Sequence, residues 1–203
     1  MENKKEKSTL TTKELTMTAI FTVLTAVMAQ IAIPLPFSPV PISFGLVAVY
    51  MTGILLKPKH AVLAQVVYLF LGAVGVPVFG GFKGGIGALF GPTGGYLLVY
   101  PIMALIVSMS LNSHKSRQAE KGQSKGMLFV RAAIAIIVAH LILYIGGTTW
   151  LSITTGNTFV AALAMAVIPF IPLDIVKILF CVFAVIPFRA RMISLNLLML
   201  DEK

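Results

Sequence analysis

Asp174 and Lys177 stand three residues apart in a run that is otherwise apolar, LDIVKILF. That spacing puts both side chains on one face of a helix. An unpaired charge in hydrocarbon is costly, so the pair must face protein interior or water. Two readings follow: a polar anchor for a ligand, or a mutually neutralising pair that only locks helix packing. His140 and Tyr144, four apart, are expected at a similar height and could line the same cavity. A lone buried histidine is more often a satisfied structural donor than a ligand contact. Gln30 has the same standing.

The second unusual piece is GAVGVPVFGGFKGGIGALFGPTGGY, residues 72 to 96, which holds ten of the seventeen glycines. Such a backbone can turn sharply and approach a ligand closely, and Phe79, Phe82, Phe90 and Tyr96 supply apolar walls. Plain chain reversal would use the same residues. A nucleotide cradle is not expected, because neither GxxxxGK[ST] nor a GxGxxG opening a helix after a strand is present. His60 and His114 lie in polar connections, and no set of His, Cys, Asp or Glu has metal-ligand spacing, so neither metal nor cofactor is expected. Cys181 is the single cysteine and reads as a small buried hydrophobe.

The elements that must position these residues are set by composition. Of 203 residues, 58% are hydrophobic and 11% charged, and the mean hydropathy is +0.95. An ordinary soluble enzyme is excluded. Apolar segments run from about Leu15 to Ile33, Ile42 to Leu56, Ala61 to Val78, Tyr96 to Leu111, Met127 to Ile145 and Leu173 to Pro187. The expected fold is an all-α integral membrane protein, a bundle of six transmembrane helices spanning residues 15–188 with ligand-capping outer loops. The segment 158–168 is too short to span, and Pro169 and Pro172 follow it. A separate short helix, with the last span starting at Pro172, is therefore expected over one kinked helix.

The net charge of +9 forms no single basic patch, so nucleic acid is not expected as a partner. Lys4, Lys5, Lys7 and Lys13, then Lys57 and Lys59, then Lys115, Arg117, Lys121 and Lys125, then Arg189 and Arg191 occupy alternate gaps between spans. The other gaps, 34–41, 79–95 and 146–171, contain Lys83 as their only Lys or Arg. The positive-inside rule then puts residues 1–14 and 189–203 in the cytoplasm as tails. The polar N-terminus, followed by a span-length segment without a small-residue cleavage site, reads as a retained first helix and not as a signal peptide. Counted from Pro187, Asp174 lies about 20 Å up the last helix, in the outer part of the membrane. In the first span Thr18, Thr22 and Ala26 recur every four residues. Such a stripe lets another helix approach closely, from a partner or from within the chain.

PVPIS (Pro39 to Ser43), the Gly-rich PVFGGFKGG, GPTGGY (Gly91 to Tyr96) and P-x-D-x-x-K (Pro172, Asp174, Lys177) follow one another along the chain. In that order they resemble the BioY family, the biotin-specific S components of energy-coupling-factor (ECF) transporters, over about residues 15 to 188. The resemblance implies a subunit of the bacterial cell membrane that captures biotin from outside. It would deliver the vitamin through a transmembrane T component and two cytoplasmic ATPases. It also implies that Asp174 and Lys177 contact polar groups of the ligand, such as the ureido ring. The pocket wall would come from Phe79, Gly80, Gly81, Phe82, Lys83, Gly91, Pro92, Thr93, Gly94, Gly95 and Tyr96, with His140 and Tyr144 beside it. Thr18, Thr22 and Ala26 resemble the family's AxxxA-type docking motif, with threonines in place of alanines. At Gly45 many relatives would place glutamine. The rival readings are a stand-alone secondary transporter and an intramembrane hydrolase, and the second lacks a nucleophile motif.

Overall fold

The computed structural model describes residues 11–112 and 125–195. Lys4, Lys5, Lys7, His114, Lys115, Arg117, Glu120 and Lys121, which carry part of the charge pattern, lie outside the described residues. Helix α1 (Thr12–Gln30) opens on a reciprocal cap: the Glu14 N–H donates to the Thr11 hydroxyl, and the Thr11 N–H donates to the Glu14 carboxylate at 3.0 Å. Strands β1 (Ala32–Leu35) and β2 (Ser38–Ser43) follow, then α2 (Gly45–Leu55) and α3 (Pro58–Ala73). Next come a short α4 (Ile86–Phe90) inside the Gly-rich connection, α5 (Gly94–Leu111) and α6 (Lys125–Thr155). Helix α7 (Phe159–Ala166), capped by the Thr158 side chain, leads through a 3-10 turn, Ile168–Phe170, into α8 (Ile171–Phe180). A π-helical turn, Cys181–Val185, joins α8 to α9 (Ile186–Ser194).

The chain is mostly helical, and among the described residues four stretches are long and apolar enough to cross a membrane. They are Thr12–Gln30, Gly94–Leu111, Gly126–Thr155 and the interrupted run Phe159–Ser194. Helices α2 and α3, with 11 and 16 residues, are shorter. Ile20, Val23, Val27, Ile134, Ile153, Val160, Val176 and Phe183 are exposed, an apolar exterior suited to hydrocarbon and not to water. Inside, α5 packs on α2, α3 and α6, and Tyr50, Ile54, Met103, Val107, Ile136 and Leu143 are fully buried. A buried Gln65 amide on α3 donates to the hydroxyls of Thr25 on α1 and Thr52 on α2, both at 3.1 Å, and so ties three helices together.

Three expectations need correction. Residues 34–41 are not a plain connection, and the chain is not all-α: β1 and β2 pair antiparallel, Ala32 opposite Ser43 and Ile33 opposite Ile42. Pro34, Pro39 and Pro41 explain the choice, since proline breaks a helix interior but is tolerated in a two-stranded ladder, where each strand has one unpaired side. The third apolar segment stops at Ala73, not Val78; the chain reverses at Gly75, whose φ of 103° is a left-handed conformation that favours glycine. The fifth does not end at Ile145 but continues to Thr155. Gly146 and Gly147, which look like breakers, are where α5 comes closest. A Cβ on Gly147 would lie 2.2 Å from the Tyr96 ring, and one on Gly95 would lie 2.2 Å from the Trp150 Cβ. Tertiary packing here overrides the low helix propensity of glycine. The proline-marked division holds: α7 is a separate short helix, and α8 starts one residue before Pro172.

Candidate ligand-binding site

Asp174 lies in the first turn of α8, where the helix dipole favours a carboxylate, and Lys177 follows one turn later on the same face. Both are buried, at 4% and 5% exposure. Lys177 Nζ donates to Asp174 Oδ1 at 2.9 Å. The other carboxylate oxygen, Oδ2, receives the Tyr144 hydroxyl at 2.7 Å and stands 3.1 Å from His140 Nε2. His140 and Tyr144 are neighbours on α6, with ring centroids 4.3 Å apart at 72°. Behind them, Tyr50 on α2 hydrogen-bonds His140 Nδ1. With the Tyr50 hydroxyl donating to Nδ1, the His140 Nε2–H donates to Asp174 Oδ2, so both ring nitrogens have a partner.

This knot leaves capacity unspent. A carboxylate offers about four acceptor positions, of which three are used, and an ammonium has three N–H groups, of which one is used. Asp174 and Lys177 border a pocket, partly open to solvent, of about 430 Å³ with the open part included. Its walls are Val40, Pro41 and Ser43 of the hairpin, Tyr96 and Tyr100 of α5, Leu143 and Tyr144 of α6, and Phe170, Asp174 and Lys177. A second pocket, of about 550 Å³ and partly open to solvent, shares Val40, Pro41, Ser43, Tyr96 and Tyr100 with it. Its other walls include Tyr68 and the glycine-loop residues Phe79, Gly80, Lys83 and Thr93. The two pockets are neighbours across one shared wall of hairpin and α5 residues.

The glycine loop is held by local contacts. Phe79 and Lys83 pair as a small antiparallel bridge, their N–H groups donating to each other's carbonyls at 2.9 and 3.1 Å. Gln30, at the end of α1, donates to the carbonyls of Val78 at 2.9 Å and Ala26 at 3.0 Å, and its Oε1 accepts the Phe82 N–H at 2.8 Å. Gln30 therefore tethers the loop to α1 and does not line either pocket. Ser43 does a similar job for the hairpin, accepting the Gly45 N–H at 3.0 Å. A Cβ at Gly45 would meet the Ala29 Cβ and the Ser43 Oγ at 3.3 Å, a tight contact in which those side chains would have to give by a few tenths of an ångström.

The sequence model of the BioY family matches residues 2–194. The chain belongs to the BioY family. A protein named as a probable biotin transporter BioY of Pyrococcus horikoshii is 36% identical over 165 residues, covering 81% of this chain and 89% of that protein. The biotin transporter BioY2 of Lactococcus lactis is 34% identical, covering 87% and 90% of the two chains. The biotin transporter BioY of Thermotoga maritima is 32% identical, covering 91% and 99%. The fold is similar to a crystal structure at 2.1 Å of the S-component for biotin from an ECF-type ABC transporter. That likeness has a TM-score of 0.77 at 26% identity and covers 93% of this chain and 94% of that one.

In this BioY chain, Asp174, Lys177, Tyr144, Tyr96, Phe79, Gly80, Lys83 and Thr93 border the paired pockets. His140 stands behind Asp174 as a positioning group. Gly81, Phe82, Gly91, Pro92, Gly94 and Gly95 line neither pocket. Phe82 is exposed, Gly91 gives its carbonyl to the Trp150 indole N–H at 2.9 Å, and Gly95 admits the Trp150 side chain. Sequence reasoning missed Tyr50, Tyr68, Tyr100 and Phe170. The signal for the tyrosines was a polar-tipped aromatic inside a span, which calls for a partner. Thr18 and Thr22 turn inward, and the Thr22 hydroxyl donates to the Ala64 carbonyl of α3 at 3.0 Å. Ala26 is only half-buried.

Proposed function

We propose that this chain is a membrane-embedded biotin-binding S component. It takes biotin from outside a bacterial cell membrane and delivers it through an ECF assembly with a T component and two cytoplasmic ATPases. The observation that carries the reading is the Asp174 and Lys177 pair, held by Tyr144 and His140, with free acceptor and donor positions beside an aromatic-walled pocket. A ureido ring is complementary to it: its N–H groups suit the carboxylate and its carbonyl suits the ammonium. The names of the relatives, and the similarity to an S-component for biotin, support biotin over other vitamins. Purified protein in detergent is expected to retain biotin in equilibrium dialysis, and other vitamins should not displace it. No biotin retention by folded protein would overturn the reading.

In the proposed topology six helices cross the bilayer, α2 and α3 as short spans completed by adjoining connections, and both termini are cytoplasmic. The glycine loop and hairpin cap the site on the outer side. Arg189 reaches the carbonyls of Ile54 and Leu111, and Arg131 reaches that of Ser110 at 3.4 Å, which supports gathering the basic residues at one end of the bundle. Lys83, the basic residue of the glycine loop, borders the pocket instead. A cysteine placed at Lys121 is expected to resist external labelling in intact cells; labelling there would refute the orientation. Because Thr18 and Thr22 are buried, docking on the T component is assigned to the α1 surface around Ala26, between the exposed Val23 and Val27. Biotin uptake in cells lacking the ATPases would favour the stand-alone transporter.

A further inference from the structure

Two buried side-chain oxygens, Gln65 Oε1 and Tyr68 Oη, meet no hydrogen-bond partner within the described residues. They stand three apart on α3, and of the two only Tyr68 borders a pocket. The Tyr68 ring is fixed on both sides. It meets Phe79 edge-on at 5.5 Å and 78°, and it stacks on Tyr100 at 6.3 Å and 17°. Phe79 and Tyr100 line the same pocket. Phenylalanine would pack equally well at this fully buried position, and burying an unpaired hydroxyl costs free energy. That cost is recovered if an acceptor occupies the pocket.

The chemistry of the walls says which acceptor. The residues that line the pocket Tyr68 borders also include Lys83, an ammonium donor, and Thr93, a hydroxyl donor. The neighbouring pocket carries Asp174 already paired with Lys177, whereas among the described residues Lys83 is the one cation lining the first pocket and no carboxylate lines it. A ligand with urea N–H groups at one end and a carboxylate at the other is therefore oriented by charge, the anion lying away from Asp174 and toward the donors. We propose that the Tyr68 hydroxyl is the buried hydrogen-bond donor to the ligand carboxylate, and so a determinant of specificity for the acid. The inference rests on the biotin reading above.

Tyr68→Phe removes one oxygen and keeps both ring contacts, so the ligand-free variant is expected to elute like the parent and to be at least as stable. Its biotin affinity should fall about tenfold or more, the range for a hydrogen bond to a charged group. For a biotin analogue whose carboxyl is replaced by methyl, parent and variant should bind within about twofold of each other, because the partner group is gone. Unchanged biotin affinity in the variant would overturn the proposal, leaving the hydroxyl to a bridging water toward Gln65. Equal losses for biotin and the analogue would overturn it too. A structure of the biotin-loaded parent gives an independent answer: a Tyr68 Oη to carboxylate distance within about 3.2 Å supports the assignment, and a longer one refutes it. If the parent itself binds no biotin, the functional reading fails first and this inference falls with it.

Discussion

Two buried cationic sites can be compared in this molecule. Lys177 on α8 lies against a carboxylate, and that carboxylate is held by a tyrosine and a histidine beside a pocket. Arg189 on α9 is fully buried and donates to the Ile54 carbonyl, to the Leu111 carbonyl at 3.4 Å and to Asn112 Oδ1 at 3.3 Å. These carbonyls belong to the last turns of α2 and α5, where helix ends leave acceptors unpaired and the dipole favours a cation. Arg189 borders neither pocket. Burial of a charge therefore does not by itself mark a binding site. What separates the two is whether hydrogen-bonding capacity remains beside open space.

The comparison can be broken most directly at Asp174. Asp174→Ala strands Lys177 and removes the acceptor, and should weaken biotin binding by about 2 to 5 kcal/mol, measured by titration calorimetry. The paired change Asp174→Asn with Lys177→Met strands no charge; parent-like affinity in that folded double variant would show a purely structural pair. At the other site, Arg189→Met leaves helix-end carbonyls without their donor. It should lower stability by about 2 to 4 kcal/mol in thermal unfolding, while the folded fraction binds biotin within about twofold of the parent. A large loss of affinity there would erase the distinction. Tyr144→Phe sharpens it, since one of three donors to Asp174 disappears; about 1 kcal/mol of binding, roughly fivefold, should go with it. The smallest effect is expected from Thr22→Val, about 0.5 to 1 kcal/mol of stability through the lost bond to Ala64, with assembly on a T component unchanged in pull-down.

Much of this was legible in the residues and some was not. The apolar segments, the charge alternation and the isolated Asp174 and Lys177 are local facts, and they led to the membrane class and to the pair at the centre of the candidate site. That His140 and Tyr144 could share a cavity with Asp174 was readable too, from spacing and height; their hydrogen bonds to its carboxylate were not. Tyr50 announced only that its hydroxyl needs a partner; that the partner is His140, ninety residues away, was not readable in VAVYMTG. Arg189 was placed at the start of a tail, since a basic residue after an apolar run looks solvated; its burial depends on where α2 and α5 end. The extension of α6 through Gly146 and Gly147 is decided by Tyr96 and Val99 on another helix, so a glycine pair read alone points the wrong way.

The hairpin has a consequence for how copies of this chain share a crowded membrane. A two-stranded sheet presents two open edges, and an open edge is a template on which another chain can add a strand and begin to aggregate. Pro34, Pro39 and Pro41 remove three amide donors from strands of four and six residues. They also fix those positions against the flattening that strand addition requires. The element that walls the pocket is thereby poor at self-association.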